Sequence, residues 1–167
     1  GTPKLVSVQV GVHAPSVPDG GDGAYVSLKV PQPTSEIEIL EMVEDGEESI
    51  TGAERILSLG RGVGENYAAA NELAQKLGAM IGGTRPLVDD GVLPFERQIG
   101  QTGCTVHPKV CLYLGVSGAI QHTEGVRGAK LTIAVNKDPE AGIFGYVDYG
   151  VAADMKEGIK ELIKAYA

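Results

Sequence analysis

From Ala53 onward, short apolar segments alternate with helix-like segments, and glycine-rich turns join the two. The apolar segments predict strands at Arg55–Leu59, Ala79–Ile81, Lys109–Val116, Leu131–Val135 and Tyr146–Ala153. Helical periodicity predicts helices over residues 65–77, around residues 121–122 and after residue 154. Strands that alternate with helices are typical of a parallel sheet in a layered α/β domain. Ligands bind such sheets at the carboxyl ends of the strands, where this chain places its glycines and polar residues.

Three features fix this interpretation locally. The segment Lys109–Val116 is nearly all apolar, as expected for a central strand that is covered on both faces. Gly78 is expected to end the first helix, and Asp154 is expected to cap the last one. The apolar face of that last helix would comprise Met155, Ile159, Leu162, Ile163 and Tyr166.

The first fifty residues differ in character from the rest. Leu5–Gly11 and Tyr25–Val30 are expected to be extended, and Glu36–Val43 to form an edge or half-buried strand before the turn at Asp45-Gly46. We therefore expect a boundary near residue 50, with the α/β domain over residues 51–167. The stretch from Leu87 to Pro108 is expected to be rich in loops.

The net charge of −8 constrains the possible partners. Phosphates repel an acidic surface, so the charge argues against nucleic acid and membrane surfaces as ligands. No apolar run reaches the ~18 residues that a membrane helix requires, and we expect no membrane insertion. A bound phosphate would have to be held by a few well-placed groups.

Two cysteines, Cys104 and Cys111, are too few for a disulfide framework and favour a reducing, cytoplasmic location. His107 lies between them, so a zinc site is one interpretation. The other is two buried thiols and a loop histidine, and we expect no metal. No nucleophile elbow or pair of catalytic carboxylates is recognisable.

Two glycine turns could bind phosphate. In GRGVGE, Arg61 follows a strand and precedes a helix, but the glycine spacing is GxGxG rather than the dinucleotide GxGxxG, and a plain surface turn is the alternative. Ser117-Gly118 follows the most apolar strand and opens a helix, which Ser117 could cap. Free N–H groups there suit a pyrophosphate, and His122 would lie about one turn into that helix; an ordinary cap with a surface histidine is the alternative.

Three further segments carry suitable polar groups. Residues 98–103 (QIGQTG) could meet the edge of a heteroaromatic ring, or form an ordinary loop. Arg85, after a strand end, could stack on a planar cofactor or remain solvated. Asn136 and Asp154 could bind ribose or adenine, or cap a turn and a helix.

Six motifs, taken in their order along the chain, resemble the C-terminal domain of electron-transfer flavoprotein alpha subunits. They span roughly residues 55–167 and read GRGVGE, GGTRP, RQIGQTG, GVSGAIQH, AVNKDP and VDYGVAAD. The resemblance implies a Rossmann-like parallel sheet flanked by helices that carries FAD. It implies an electron carrier without a substrate of its own, either a simple shuttle or part of an electron-bifurcating complex.

The resemblance also implies partners: an electron-transfer flavoprotein beta subunit, flavoprotein dehydrogenases and an acceptor oxidoreductase. Residues 1–50 would be the last strands and linker of the preceding alpha-subunit domain. A flavin-free regulatory or interaction module, or a nicotinamide-binding relative of the same fold, are the alternatives.

The resemblance assigns roles to residues by position. Arg61 would approach the diphosphate region, and Thr84 and Arg85 the flavin, with the Arg85 guanidinium over the ring. Thr102 would point toward N5, and His122 would face N1 and O2. Asn136 and Asp154 would serve the adenosine end. The full set of expected FAD contacts is Arg61, Thr84, Arg85, Ile99, Gly100, Gln101, Thr102, Ser117, Gly118, Ala119, Ile120, Gln121, His122, Asn136, Asp154 and Met155.

Overall fold

The fold is a five-stranded parallel sheet flanked by helices, as seen in a computed structural model that describes Ser27, Lys29 and residues 49–166. The compact unit to which residues 49–166 belong begins at Glu48. The segments expected at Leu5–Gly11, Tyr25–Val30 and Glu36–Val43 lie outside this range, apart from Ser27 and Lys29.

The strands run in the order β2-β1-β3-β4-β5, and every neighbouring pair is parallel. Their bounds are β1 Arg55–Leu59, β2 Met80–Gly83, β3 Val110–Leu114, β4 Leu131–Asn136 and β5 Tyr149–Ala152. The helices are α1 Tyr67–Leu77, α2 Arg85–Asp89, α3 Ile120–Thr123 and α4 Met155–Ala165. The α/β architecture expected from the alternating pattern is therefore confirmed.

Alternate residues of the strands face two different cores, because successive side chains of a strand point to opposite faces. On one face, leucines of β1 and β3 pack against α1 and α4, including Leu73 and Ile159. On the other face, Ile56, Cys111 and Tyr113 are covered by loop residues rather than by a long helix. Ile99 and Val116, in loops that follow β2 and β3, belong to this second core, whereas Val63 and Leu87 belong to the first.

The helix ends predicted at Gly78 and Asp154 are confirmed. Gly78 ends α1 in a left-handed conformation, with φ of 57°, as expected. The carboxylate of Asp154 accepts from the N–H groups of Lys156 and Glu157 and so caps α4. On the expected face of α4, Met155 and Ile159 are buried, but Tyr166 is 55% exposed because it lies beyond the last residue of the helix.

Several elements differ from the expected bounds: β2 runs two residues further along the chain than expected, and β3 is shorter at both ends. The first helix begins at Tyr67, because residues 61–66 form a 3-10 turn in which Gly64 has φ of 53°. A short helix, α2, lies partly inside the stretch expected to be loop, with Pro86 in its first turn. The last strand is shorter than expected, because the N–H of Tyr146 still closes the preceding 3-10 turn and pairing with β4 begins only at Tyr149. In the described part of the chain, no helix is both long and apolar enough to cross a membrane.

Candidate functional site

Two glycine turns meet backbone to backbone at the carboxyl ends of β1 and β3. The N–H of Gly60 donates to the carbonyl of Leu114 at 2.9 Å, and the N–H of Gly62 donates to the carbonyl of Gly115 at 3.0 Å. A Cβ atom at Gly60 would lie 2.3 Å from the Gly115 oxygen, so no side chain fits there. Arg61, between the two glycines of its turn, is exposed beside this contact.

The turn after β3 does not begin α3 as directly as expected. Gly118 has φ of 94° and packs on Ile143, whose N–H donates to the carbonyl of Ser117 at 3.0 Å. Ala119, not Ser117, occupies the N-cap position of α3, and no side chain caps this helix. The expected Ser117 cap is therefore wrong, because two further residues separate it from the helix. Its side chain is exposed at the turn instead.

Residues 98–104 form a loop that docks on α3. The N–H of Gln101 donates to the carbonyl of Gln121 at 2.8 Å, and the N–H of Ile99 donates to the carbonyl of Gly83 at 2.9 Å. Buried Gln98 donates through Nε2 to the hydroxyl of Thr102 at 2.9 Å, which leaves the Thr102 O–H free to donate. The loop thus holds the exposed side chains of Gln101 and Thr102 near those of α3.

His122 lies inside the domain rather than at its surface, with only 5% of the residue exposed. Its Nδ1 is 2.8 Å from the carbonyl oxygen of Ile99, and its Nε2 is 2.8 Å from the hydroxyl oxygen of Ser58. Burial lowers the pKa of His122, and the Ile99 carbonyl partly opposes that effect by raising it. The result is a neutral imidazole whose two ring nitrogens are both hydrogen-bonded within the domain, so neither is free to face N1 and O2 of a flavin, against the expectation. The alternative of a surface histidine is wrong.

Thr84 and Arg85 lie where β2 passes into α2. The N–H of Thr84 donates to the carbonyl of Leu59 at 2.9 Å, which ties this turn to the end of β1. The Arg85 side chain is 67% exposed and lies 3.4 Å from the Asp89 carboxylate, one helical turn further on. Its guanidinium is thus accessible from solvent at the carboxyl edge of the sheet, where the two glycine turns also lie.

Asn136 and Asp154 both cap backbone groups. Buried Asn136 donates through Nδ2 to the Val116 carbonyl at 2.8 Å, and its Oδ1 accepts from the Asp138 N–H at 3.0 Å. Asp154 uses Oδ1 for the α4 cap. Met155 is buried in the core, with 4% exposed. Asp154 is exposed, so its second carboxylate oxygen remains accessible to a ligand.

Contacts at this edge join most of the expected site residues. They link the Arg61 turn to the turn after β3, the 98–104 loop to α3, and Asn136 to Val116. Ser58 was not singled out from the sequence. A lone hydroxyl within the apolar run of β1 was the signal that could have identified it.

The residues considered for zinc have separate environments. Cys111 faces the core of the sheet, and burial raises its pKa to about 12. Cys104 is only half-buried, against the expectation of two buried thiols, and its thiol donates to the Glu96 carbonyl. His107 bonds through Nδ1 to the Arg127 carbonyl. Among residues 49–166, no group of three or more His, Cys, Asp or Glu side chains could hold a metal ion.

Comparisons with known proteins point to a single family. A family model described as the electron transfer flavoprotein FAD-binding domain matches residues 49–127. The electron transfer flavoprotein subunit alpha of Pseudomonas aeruginosa is 36% identical over 166 residues, which are 97% of this chain and 54% of that protein. The corresponding subunit of Paracoccus denitrificans is 44% identical over 124 residues, which are 73% of this chain and 40% of that protein.

A relative with a different name is also similar to this chain. The acryloyl-CoA reductase electron transfer subunit beta of Anaerotignum propionicum is 46% identical over 121 residues, which are 70% of this chain and 33% of that protein. The chain thus spans about half the length of the Pseudomonas protein and a smaller part of the other two.

Proposed function

Since this chain belongs to the family of electron transfer flavoprotein alpha subunits, we propose that it holds FAD at the carboxyl edge of its sheet and carries electrons. The family match carries this proposal, because it includes both glycine turns, α2, the 98–104 loop and α3. A carrier needs no catalytic group of its own, since a bound flavin supplies the redox chemistry.

The residues at this edge fit a dinucleotide. The glycine contact between the two turns lets backbone approach closely, and Arg61 adds a cation beside it. In a chain with a net charge of −8, two exposed arginines at one edge are suited to a diphosphate and a flavin. The exposed amides and hydroxyls that ring and ribityl recognition requires are those of Gln101, Thr102, Ser117 and Gln121.

Each part of FAD has proposed partners among these residues. The diphosphate would lie by Arg61 and the turn from Ser117 to Gln121, and the isoalloxazine ring by Thr84, Arg85 and Thr102. The adenosine end would lie by Asn136 and the accessible oxygen of Asp154. A cation such as Arg85 would favour the reduced, more negative flavin and so raise its midpoint potential.

In the whole protein, we propose that this domain works with an electron-transfer flavoprotein beta subunit. Electrons would arrive from flavoprotein dehydrogenases and leave to an acceptor oxidoreductase. The name of the Anaerotignum relative, an electron transfer subunit of a reductase, supports a role in passing electrons within a larger system. Residues 1–50 would be the end of the preceding alpha-subunit domain.

A reductive titration tests the carrier role. The chain loaded with FAD is reduced stepwise with dithionite and then reoxidised with ferricyanide, and we expect full recovery of the oxidised spectrum. We expect NADH alone to leave the bound flavin oxidised. Rapid reduction by NADH would favour the nicotinamide-dependent alternative and contradict the proposal.

A further inference from the structure

A buried hydroxyl lies beneath the candidate flavin site. Ser58 is fully buried in the middle of β1, between Leu57 and Leu59. A hydroxyl in such a place is unfavourable unless it has a hydrogen-bond partner. Its partner is Nε2 of His122, 2.8 Å away and 64 residues further along the chain.

The partners of His122 determine where its proton resides. The Ile99 carbonyl can only accept, so Nδ1 must carry the hydrogen of that bond. In the neutral ring Nε2 is then a bare acceptor, and the Ser58 hydroxyl must donate to it. Burial, which lowers the pKa of His122, favours this neutral form. Tyr113, which packs edge-on against the imidazole with ring centroids 6.0 Å apart, is itself kept neutral because burial raises its pKa.

The same imidazole joins two segments that carry expected flavin contacts. Ile99 lies in the 98–104 loop, which presents Gln101 and Thr102, whereas His122 follows Gln121 in α3. The bond from the Gln101 N–H to the Gln121 carbonyl reinforces that junction. Loss of the imidazole's fixed orientation would therefore loosen both segments at once.

We propose that Ser58 is a positioning residue for the flavin site: its hydroxyl fixes His122 as the Nδ1–H tautomer, and the ring in turn fixes the 98–104 loop against α3. This inference rests on the proposed function only for its effect on FAD. The tautomer and the loop contact are properties of the chain itself.

The tautomer is measured first, on the unsubstituted chain without added flavin. Nitrogen-15 NMR of the histidine rings at neutral pH should give a protonated Nδ1 and a bare, hydrogen-bonded Nε2 for His122. A protonated Nε2 would overturn the proposal, whether or not the chain binds FAD. No variant is needed for this step, so folding does not affect its outcome.

Variants then test the positioning role. Ser58→Ala should speed hydrogen exchange of the Gln101 amide and weaken FAD binding, each by about tenfold, the effect of one lost buried hydrogen bond. Ser58→Thr, which keeps a hydroxyl, should restore both relative to Ser58→Ala. The matched control is Thr123→Val, because the Thr123 hydroxyl is also buried but bonds only carbonyls near the start of its own helix.

The outcomes distinguish the positioning role of Ser58 from the proposed function of holding FAD. If Gln101 exchange rises in Ser58→Ala but the natural chain binds no FAD, the proposed function fails and the positioning role survives. If the chain binds FAD, and Ser58→Ala matches Thr123→Val in both readouts, the positioning role fails and the proposed function survives.

Discussion

The backbone N–H of Gln101 donates to the carbonyl oxygen of Gln121 at 2.8 Å. This bond joins a loop that follows β2 to a helix that follows β3, and it places two expected flavin contacts side by side. Gly100 makes the approach possible, because it has φ of 145° and a Cβ there would lie 2.5 Å from the Gln121 oxygen. The junction therefore depends on a residue without a side chain.

Gly100→Ala should separate the loop from α3. The backbone strain alone costs on the order of 1–3 kcal/mol, and the clash with Gln121 adds to it. We expect a lower free energy of unfolding in urea and loss of FAD retention on desalting. The control is Gly128→Ala, which has φ of 64° but open space around the added carbon. Equal FAD retention in the two variants would contradict the role given to this junction.

Arg85→Ala should make the bound flavin harder to reduce, because the variant lacks a cation that favours the reduced form. For a one-electron couple a tenfold change corresponds to about 59 mV. Solvent screens this exposed side chain, so we expect a fall in midpoint potential on the order of 30–60 mV. Potentiometric titration measures the midpoint potential.

The control is Lys130→Ala. It removes an exposed cation just before β4, at the amino edge of the sheet, and should leave the midpoint potential unchanged. An unaltered potential in Arg85→Ala would refute a place for Arg85 at the flavin.

Variants of Asp154 separate its two roles. Asp154→Ala removes the α4 cap and should lower the free energy of unfolding by about 1 kcal/mol. Asp154→Ser keeps a capping oxygen and should unfold like the natural chain. If the carboxylate also contacts the adenosine end, calorimetry should show weaker FAD binding for both variants. If Asp154→Ser binds FAD as strongly as the unsubstituted chain, Asp154 serves only as the α4 cap.

Asp148 makes stability depend on pH. Its carboxylate accepts from both the hydroxyl and the backbone N–H of Thr132, and these bonds lower its pKa. A group whose pKa is lower in the folded state stabilises the fold above its unfolded pKa, about 3.9, and loses that effect as pH falls through the folded value. Asp148→Asn should therefore be less stable than the natural chain near neutral pH, with the difference shrinking below about pH 3.9. A difference that stays constant in urea unfolding down to pH 2 would contradict this explanation.

Much of the fold follows from local pattern. The strand Val110–Leu114 was predictable because a near-continuous apolar run is what a strand covered on both faces requires. The grouping of candidate residues at one edge was also predictable, since the carboxyl ends of parallel strands meet there. The short helix α2 was missed, because five residues after a strand give too little periodicity to distinguish it from a loop.

The missing Ser117 cap and the burial of His122 could not be predicted, because they depend on contacts and backbone geometry beyond the local pattern. Ser117 has the right residue type and place for a cap, but the positive φ of Gly118 carries the chain onward before α3 begins. The burial of His122 depends on Ile99 and Ser58, which are 23 and 64 residues away. No local pattern indicates which loop will cover a histidine.

The most direct test of the FAD-holding role is the flavin content of the purified chain. The absorption spectrum is recorded before and after FAD is added and unbound FAD is removed by desalting. We predict the visible bands of an oxidised flavin, at about one FAD per chain, as expected when the protein holds the isoalloxazine in place. Because the chain spans about half the length of its Pseudomonas relative, the measurement is repeated with an electron-transfer flavoprotein beta subunit present. A colourless protein that retains no FAD in either case would contradict the account.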